Sequence, residues 1–297
     1  MTVTKKYSTA KAFRVALETR LKQIADSEQI DLQRLRRLVA FDRLLARIFQ
    51  NKATRWALKG GYAMELRMKA ARTTKDIDLV IEDPKQLDHY SESLRDRLLE
   101  ELREQALKER DDYFVFMIGQ STMDIEAAPY GGARYPVDAR MDGRTFVKFH
   151  LDIGVGDAVM EPLESVQTRD WLGFAGIEPP TVELLSKEQQ FAEKLHAYTL
   201  PGRTRPNSRV KDLVDIVLLL QRGKLKHQKI KESLDVVFAR RKTHQLPEKI
   251  NPPPDDWRPV FNRLAEECSI TASIEEAYTA LENVVASLKK DWYGAGF

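Results

Sequence analysis

The sequence predicts a mixed α/β (α+β) protein, with a mixed sheet flanked by helices in its first half and a mostly helical second half. Three observations carry this. Asp76, Asp78 and Val80 alternate with Ile77, Leu79 and Ile81, the period of two that marks a strand. Residues 9–50 hold two apolar stripes at helical spacing: Ala12, Phe13, Val15, Ala16, Leu21 and Ile24, then Leu35, Leu38, Phe41, Leu44, Leu45 and Phe49. Beyond Pro179-Pro180 the apolar periodicity is helical as far as Ser287, interrupted at Pro201 to Pro206 and at Pro252 to Pro254.

Between these landmarks the elements follow in order. Trp56 to Lys59 is a short strand that runs into Gly60-Gly61, and Tyr62 to Met68 is a helix. Gln86 to Arg110 reads as one long charged helix, with Leu94, Leu98, Leu102 and Ala106 spaced four apart. Phe114 to Ile118 is a strand. Arg134 to Ile153 forms a hairpin turning at Asp142-Gly143, a dipeptide suited to positive φ. After Gly154 and Gly156 the pattern loosens through Pro162. The expected division is an α/β domain with N-terminal helices over residues 1–175 and a helical domain over 176–297.

Composition narrows the class. At 297 residues, 42% hydrophobic and 31% charged, the chain has enough apolar material for a substantial core and is not a disordered segment. Forty-eight basic against 45 acidic residues leave +3, too near balance to announce a polyanion partner. Charge is concentrated locally: Lys224, Lys226, Lys229, Lys231, Arg240, Arg241, Lys242 and Lys249 face only Glu232, Asp235 and Glu248. That excess is either a phosphate-facing patch or a solvated helical face. The single cysteine, Cys268, excludes an intrachain disulfide and fits a reducing cytoplasm. No secretory signal and no apolar run long enough to span a bilayer is present, so a cytoplasmic protein without membrane partners is expected.

Four features carry chemistry. Two glycines between a strand and a helix let backbone approach a phosphate at a helix N-terminus, although such turns also occur for steric reasons alone. Asp76 and Asp78, two apart on a strand, point to one face. Such a pair either holds a hard cation shared with triphosphate oxygens or is a solvated strand surface. Asp152, within Phe149-His150-Leu151-Asp152-Ile153, is a lone acid at the end of the hairpin. It completes a metal site with Asp76 and Asp78, or it bonds loop amides before Gly154. Lys194 sits beside the stripe Phe191, Leu195 and Tyr198, so it must snorkel outward or meet an anion. Ser208 suits an N-cap. Asp212, four residues on, pairs with Lys194, acts near the metal or compensates the helix dipole, and Asp215 reads as structural, paired with Arg209 or Lys211. His150, His196 and Cys268 form no metal or nucleophile constellation.

Gly-Gly, then Asp-x-Asp, then an acid on a later strand resembles the nucleotidyltransferase superfamily. Leu58-Lys59-Gly60-Gly61, Thr74-Lys75-Asp76-Ile77-Asp78, Gln190 to Ala197 and Ser208 to Asp215 together resemble the four motifs of the AbiEii-type toxins of bacterial abortive-infection and toxin–antitoxin systems. The resemblance covers roughly residues 56–220. Gly61 stands where many members of the wider superfamily have Ser, and Thr74 where some toxins have Ser. The resemblance implies a nucleotidyltransferase fold whose helical half completes the active site, and a nucleoside triphosphate as substrate with Mg²⁺ or Mn²⁺. It also implies a cognate antitoxin and, as in mycobacterial members, tRNA or another RNA as acceptor. Under it Gly60, Gly61, Thr74 and Lys194 bind the nucleotide, Asp76, Asp78 and Asp152 the metal, and Asp76, Asp78, Asp152, Lys194 and Asp212 are catalytic. Two rivals keep or drop the chemistry: the same fold modifying a protein or small-molecule hydroxyl by nucleotidyl or phosphoryl transfer, or a non-catalytic nucleic-acid-binding regulator.

Overall fold

The alternation at Asp76–Ile81 is realised as an inner strand of a mixed sheet in the computed structural model, which describes residues 6–50, 55–68, 70–87, 93–125, 128–201 and 209–293. The chain divides into two units: Met1–Leu66, Thr73–Val159 and Leu163–Leu184 in the first, Arg67–Arg72, Met160–Pro162 and Leu185–Phe297 in the second.

The first unit opens with α1 (Ala10–Glu28) and α2 (Leu32–Ile48), the two stripes read from sequence. The break between them is local chemistry. Gln29 takes a left-handed conformation (φ 53°), and the Asp31 carboxylate accepts from Arg34 N at 2.8 Å to start α2. Next come β1 (Ala57–Lys59), α3 (Gly60–Arg67), β2 (Asp76–Ile81) and α4 (Leu94–Leu107). The long helix expected over Gln86 to Arg110 is thus shorter at both ends. Pro84–Gln86 is a 3₁₀ turn, and Ser93 caps α4 by accepting from Asp96 N at 3.1 Å; residues 88–92 lie outside the described set. Charged helix formers continue the periodicity past the point where a serine cap stops the helix.

β3 (Val115–Ile118), β4 (Met123–Asp124), β5 (Gly132–Met141), β6 (Arg144–Val155), β7 (Glu164–Gln167) and β8 (Thr181–Leu184) follow. The sheet runs β3-β5-β6-β2-β1-β8-β7, with β4 also paired to β5. The pairs β2/β6 and β1/β8 are parallel and the others antiparallel. β5 and β6 are the expected hairpin, and both turn residues have positive φ, 54° at Asp142 and 70° at Gly143. β7 and β8 were not expected; β8 lies where the sequence reads as helical, and four residues are too few for period to arbitrate.

One face of this sheet is core. Along β5, Ala133, Tyr135, Val137, Ala139 and Met141 are buried, whereas Arg134, Pro136, Asp138 and Arg140 are partly exposed. Phe41 of α2 meets Tyr62 of α3 and Phe149 of β6 edge-on at 5.0 and 4.8 Å, which ties helices and sheet together. The fully buried Asp112 takes the guanidinium fork of Arg47 at 2.8 and 2.9 Å and Arg43 Nε at 2.7 Å.

The second unit carries α5 (Lys187–Thr199), α6 (Val210–Arg222), α7 (His227–Arg241), α8 (Arg258–Glu267) and α9 (Ile274–Tyr293). α5 packs on α6 and α7, and α6 also on α8 and α9. Ser186 caps α5 by accepting from Gln189 N at 3.1 Å. The N-cap expected at Ser208 lies outside the described residues.

Candidate active site

The site begins with a row of four side chains that register aligns across four strands. Arg134 on β5 pairs with Asp152 on β6, Asp152 with Asp78 on β2, and Asp78 with Lys59 on β1. Registered residues share a face at about 4.8 Å per strand, so the row presents plus, minus, minus, plus. One step along, Asp76 registers with His150 and lies on the same face as Asp78. The structure therefore brings together the three carboxylates singled out from sequence, Asp76, Asp78 and Asp152. A like-charge cluster on neighbouring strands needs positive charge to persist.

Arg134 supplies part of that charge. Its Nε donates to Asp152 Oδ1 at 2.7 Å and its Nη2 to Asp152 Oδ2 at 2.6 Å, with Asp76 Oδ2 3.5 Å away. The hydrogen bond to Asp152 holds the guanidinium pKa above its ordinary value, against the smaller opposing effect of burial. His150 Nδ1 lies 3.4 Å from Asp76 Oδ1. At the other end of the row Lys59 Nζ donates to the buried Asp157 at 2.7 Å. Arg134, Asp157 and His150 are site residues that motif reading did not assign.

The glycine turn is shaped against this row. Gly60 has φ +68°, and a Cβ built there would lie 1.9 Å from Asp78 Oδ2. Only hydrogen fits, so the first turn of α3 closes directly over the Asp78 carboxylate. α3 is itself pinned. Tyr62 donates to the buried Asp42 of α2, and Trp171 Nε1 donates to the same carboxylate at 2.9 Å. Burial pushes the Asp42 carboxyl up to about 7, against the donated hydrogen bonds, which pull it down. Further along α3, Glu65 accepts from Arg34 Nε at 3.0 Å and from Thr74 N at 3.2 Å. The Thr74 hydroxyl donates to the Asp76 carbonyl at 3.3 Å, so it fixes the entry of β2.

Two oxygen-donor carboxylates on one face, beside a turn with room for no side chain, suit a hard divalent cation such as Mg²⁺ or Mn²⁺. Among the described residues no group of three or more His, Cys, Asp or Glu is arranged to hold a metal ion. Both oxygens of Asp152 are occupied by the Arg134 fork.

In the second unit Lys194 meets anions. Its Nζ lies 2.9 Å from Asp212 Oδ1 and 2.8 Å from Asp215 Oδ2. Arg209 donates to the other Asp212 oxygen at 2.9 Å, and Arg72 forks onto Asp215 at 2.9 and 2.9 Å. Asp215 is fully buried, and its partners are Lys194 and Arg72, not the Arg209 or Lys211 expected from the sequence. Burial works against the charge on Lys194, yet Asp212 and Asp215 hold its pKa above the ordinary lysine value; burial likewise opposes charge on Asp215, which Lys194 and Arg72 keep below the ordinary carboxylate value. Among the described residues these contacts join three cations, Lys194, Arg72 and Arg209, to two carboxylates, Asp212 and Asp215.

The basic stretch near the C-terminus is divided. Lys224, Lys226, Lys229, Lys242 and Lys249 are exposed, but the mostly buried Arg241 turns towards Glu193 at 3.8 Å and His196 Nδ1 at 3.4 Å. Cys268 is buried and free.

A family model described as nucleotidyl transferase AbiEii toxin, Type IV TA system, matches residues 43–283. The chain belongs to this family. It is a nucleotidyltransferase, and the matched span includes the whole carboxylate row, the glycine turn and the Lys194 network. The AbiEii-type chain is similar in fold to MenT4, a nucleotidyltransferase toxin from Mycobacterium tuberculosis. That pair has 17% identity and a TM-score of 0.54, over 91% of this chain and 98% of the other. It also matches JHP933 from Helicobacter pylori, with 17% identity and a TM-score of 0.43 over 86% of this chain and 97% of that one. No curated protein matches the sequence. Among the described residues no helix of the AbiEii-type chain is long and apolar enough to cross a membrane.

Proposed function

We propose that this chain transfers a nucleotide from a nucleoside triphosphate, with Mg²⁺ or Mn²⁺, to an RNA acceptor, the 3′ end of tRNA in particular, and that a cognate antitoxin restrains it in the cytoplasm. The observation that carries this reading is the registered row Arg134–Asp152–Asp78–Lys59 with Gly60 closed onto Asp78. In it Asp76, Asp78 and Asp152 hold the divalent cation, which when bound neutralises phosphate charge and makes the α-phosphorus more electrophilic. Gly60 and Gly61 offer backbone N–H groups of the first turn of α3 to triphosphate oxygens. Thr74 acts on the site through its bond to the Asp76 carbonyl. Lys194 stabilises charge that develops on the phosphates, with Asp212 orienting its ammonium. The acceptor hydroxyl gives up its proton to solvent and its oxygen bonds the α-phosphorus as the bond to the bridging α–β oxygen breaks, and pyrophosphate leaves.

A polyanionic acceptor is supported by a groove of about 880 Å³ in the first unit, beside Asp76 and His150. Arg37, Lys75, Arg103, Arg134 and Lys148 line it against Asp76 and Asp138. Among the described residues Arg37, Lys75, Arg103 and Lys148 make no ion pair, so their charge is available to phosphates. The reduced, buried Cys268 accords with a cytoplasmic site. Incubating the purified protein with total cellular RNA and each triphosphate, labelled at the α- or γ-phosphate, tests the whole. Label from the α-position on RNA is expected. Label from the γ-position means phosphoryl transfer, and label on protein alone rejects RNA as acceptor.

A further inference from the structure

We propose that Arg134 is the resident counterion of the carboxylate cluster, competing with the divalent cation for Asp152 and Asp76 and thereby holding down metal affinity until it is displaced. This rests on the metal role proposed above for the three carboxylates.

The geometry is specific. The fork satisfies both Asp152 oxygens at 2.7 and 2.6 Å and extends to Asp76 at 3.5 Å, so one guanidinium spans two of the three carboxylates. Bidentate, charge-assisted pairs of this kind are among the stronger polar contacts in proteins. A guanidinium stays charged in proteins, so it can release Asp152 only by moving. Movement is open to it: the Arg134 side chain is 30% exposed and lines the groove beside Asp76 and His150. A cation arriving at Asp152 meets a carboxylate already neutralised, and two positive charges at that spacing repel. The placement depends on a β-bulge. Near the turn, Met141 pairs with Arg144 and Arg140 with Thr145, but beyond the irregularity at Ala139/Arg140 the partner of Ala139 is Val147. The extra residue brings Arg134 opposite Asp152 instead of Leu151.

Metal titration of the full chain without nucleotide reads this directly. Free Mn²⁺ is followed by electron paramagnetic resonance for wild type, Arg134→Gln, Arg134→Lys and the double variant Arg134→Gln/Asp152→Asn, with thermal melts in EDTA and in Mn²⁺. Arg134→Gln is expected to bind Mn²⁺ at least about tenfold more tightly, to melt earlier than wild type in EDTA and to regain that loss in Mn²⁺. Arg134→Lys, a point charge without the fork, should fall between, and it serves as the measurement if Arg134→Gln does not fold without metal. The double variant should lose the gain. Affinity in Arg134→Gln or Arg134→Lys no tighter than in wild type overturns the proposal. Asp78→Asn separates the two levels. If it abolishes Mn²⁺ binding while the Arg134 variants bind as wild type does, the metal site stands and only the counterion falls. If no variant and no wild-type sample binds Mn²⁺, both fall.

Discussion

Gly60 and Asp78 stand so close that a single methyl group at position 60 would lie 1.9 Å from the Asp78 carboxylate oxygen. Gly60→Ala therefore meets two obstacles, the clash and a φ of +68°. The backbone cost alone is about 1–2 kcal/mol, which the domain should survive. The displaced Asp78 should be fatal to chemistry. Expected is a folded protein, melting a few degrees early, whose nucleotide transfer falls at least about a hundredfold. Near-normal turnover would show that the close approach has no catalytic consequence.

Asp76→Ala and Asp78→Ala should each abolish transfer and any growth inhibition while the fold persists. Both side chains are partly exposed, and removing one member of a like-charge cluster relieves repulsion in the metal-free protein. Circular dichroism with an α-label transfer assay decides. Full activity in the purified double variant removes these carboxylates from the site.

Asp76 and Asp78 were legible because a strand with a period of two, flanked by apolar residues, puts alternate side chains on one face without knowledge of any partner strand. The hairpin was legible from its Asp-Gly turn, and Asp152 followed from it. Arg134 was not, because its role depends on cross-strand pairing. Counting back from the turn puts it opposite Leu151, and only the bulge at Ala139/Arg140 corrects the count to Asp152. Lys194 was legible as a cation beside an apolar stripe, but not Arg72, which shares Asp215 with it and comes from a segment with no periodicity. β7 and β8, four residues each, carried too few alternations to be told from helix.

The buried Asp42 makes stability fall as pH rises. Its folded pKa, about 7, lies above the unfolded value near 3.8, so the folded state binds the extra proton between those limits. Stability from this group is full below the unfolded pKa and declines up to about pH 7, by about 4 kcal/mol in all. Asp42→Asn keeps a neutral partner for Tyr62 and Trp171. Denaturant titrations from pH 4.5 to 8 should show the wild-type slope flattened in the variant. An unchanged slope would assign the pH dependence to other groups.

Lys194→Ala should lower both turnover and stability. It leaves the fully buried Asp215 with Arg72 alone and Asp212 with Arg209 alone, and breaking one partner out of a buried ionic network costs about 3 kcal/mol. Lys194→Arg restores charge but not the compact ammonium set between two carboxylates, so it should recover stability in part and activity poorly. The separating measurement is turnover in a stabilising osmolyte, where both variants are folded. Normal turnover there makes Lys194 structural only.

The acceptor is tested at the groove beside Asp76, a better target than the basic stretch near the C-terminus. Arg241 of that stretch is turned inward to Glu193 and His196, so its replacement would confuse packing with binding. Arg103 and Lys148 are exposed and lie in the groove wall on different elements, α4 and β6. Arg103→Glu and Lys148→Glu should weaken RNA binding and lower the salt slope by about one counterion for each phosphate no longer neutralised. Neither residue belongs to the carboxylate row or the glycine turn, so triphosphate affinity should hold at the wild-type value. Filter binding of total tRNA between about 50 and 200 mM salt gives the slope, and equilibrium dialysis gives the nucleotide affinity. If RNA affinity and slope stay at wild-type values in both variants, the acceptor does not lie in this groove. If triphosphate affinity falls with them, the groove carries the nucleotide, and the cations along its wall would then be counterions to its phosphates.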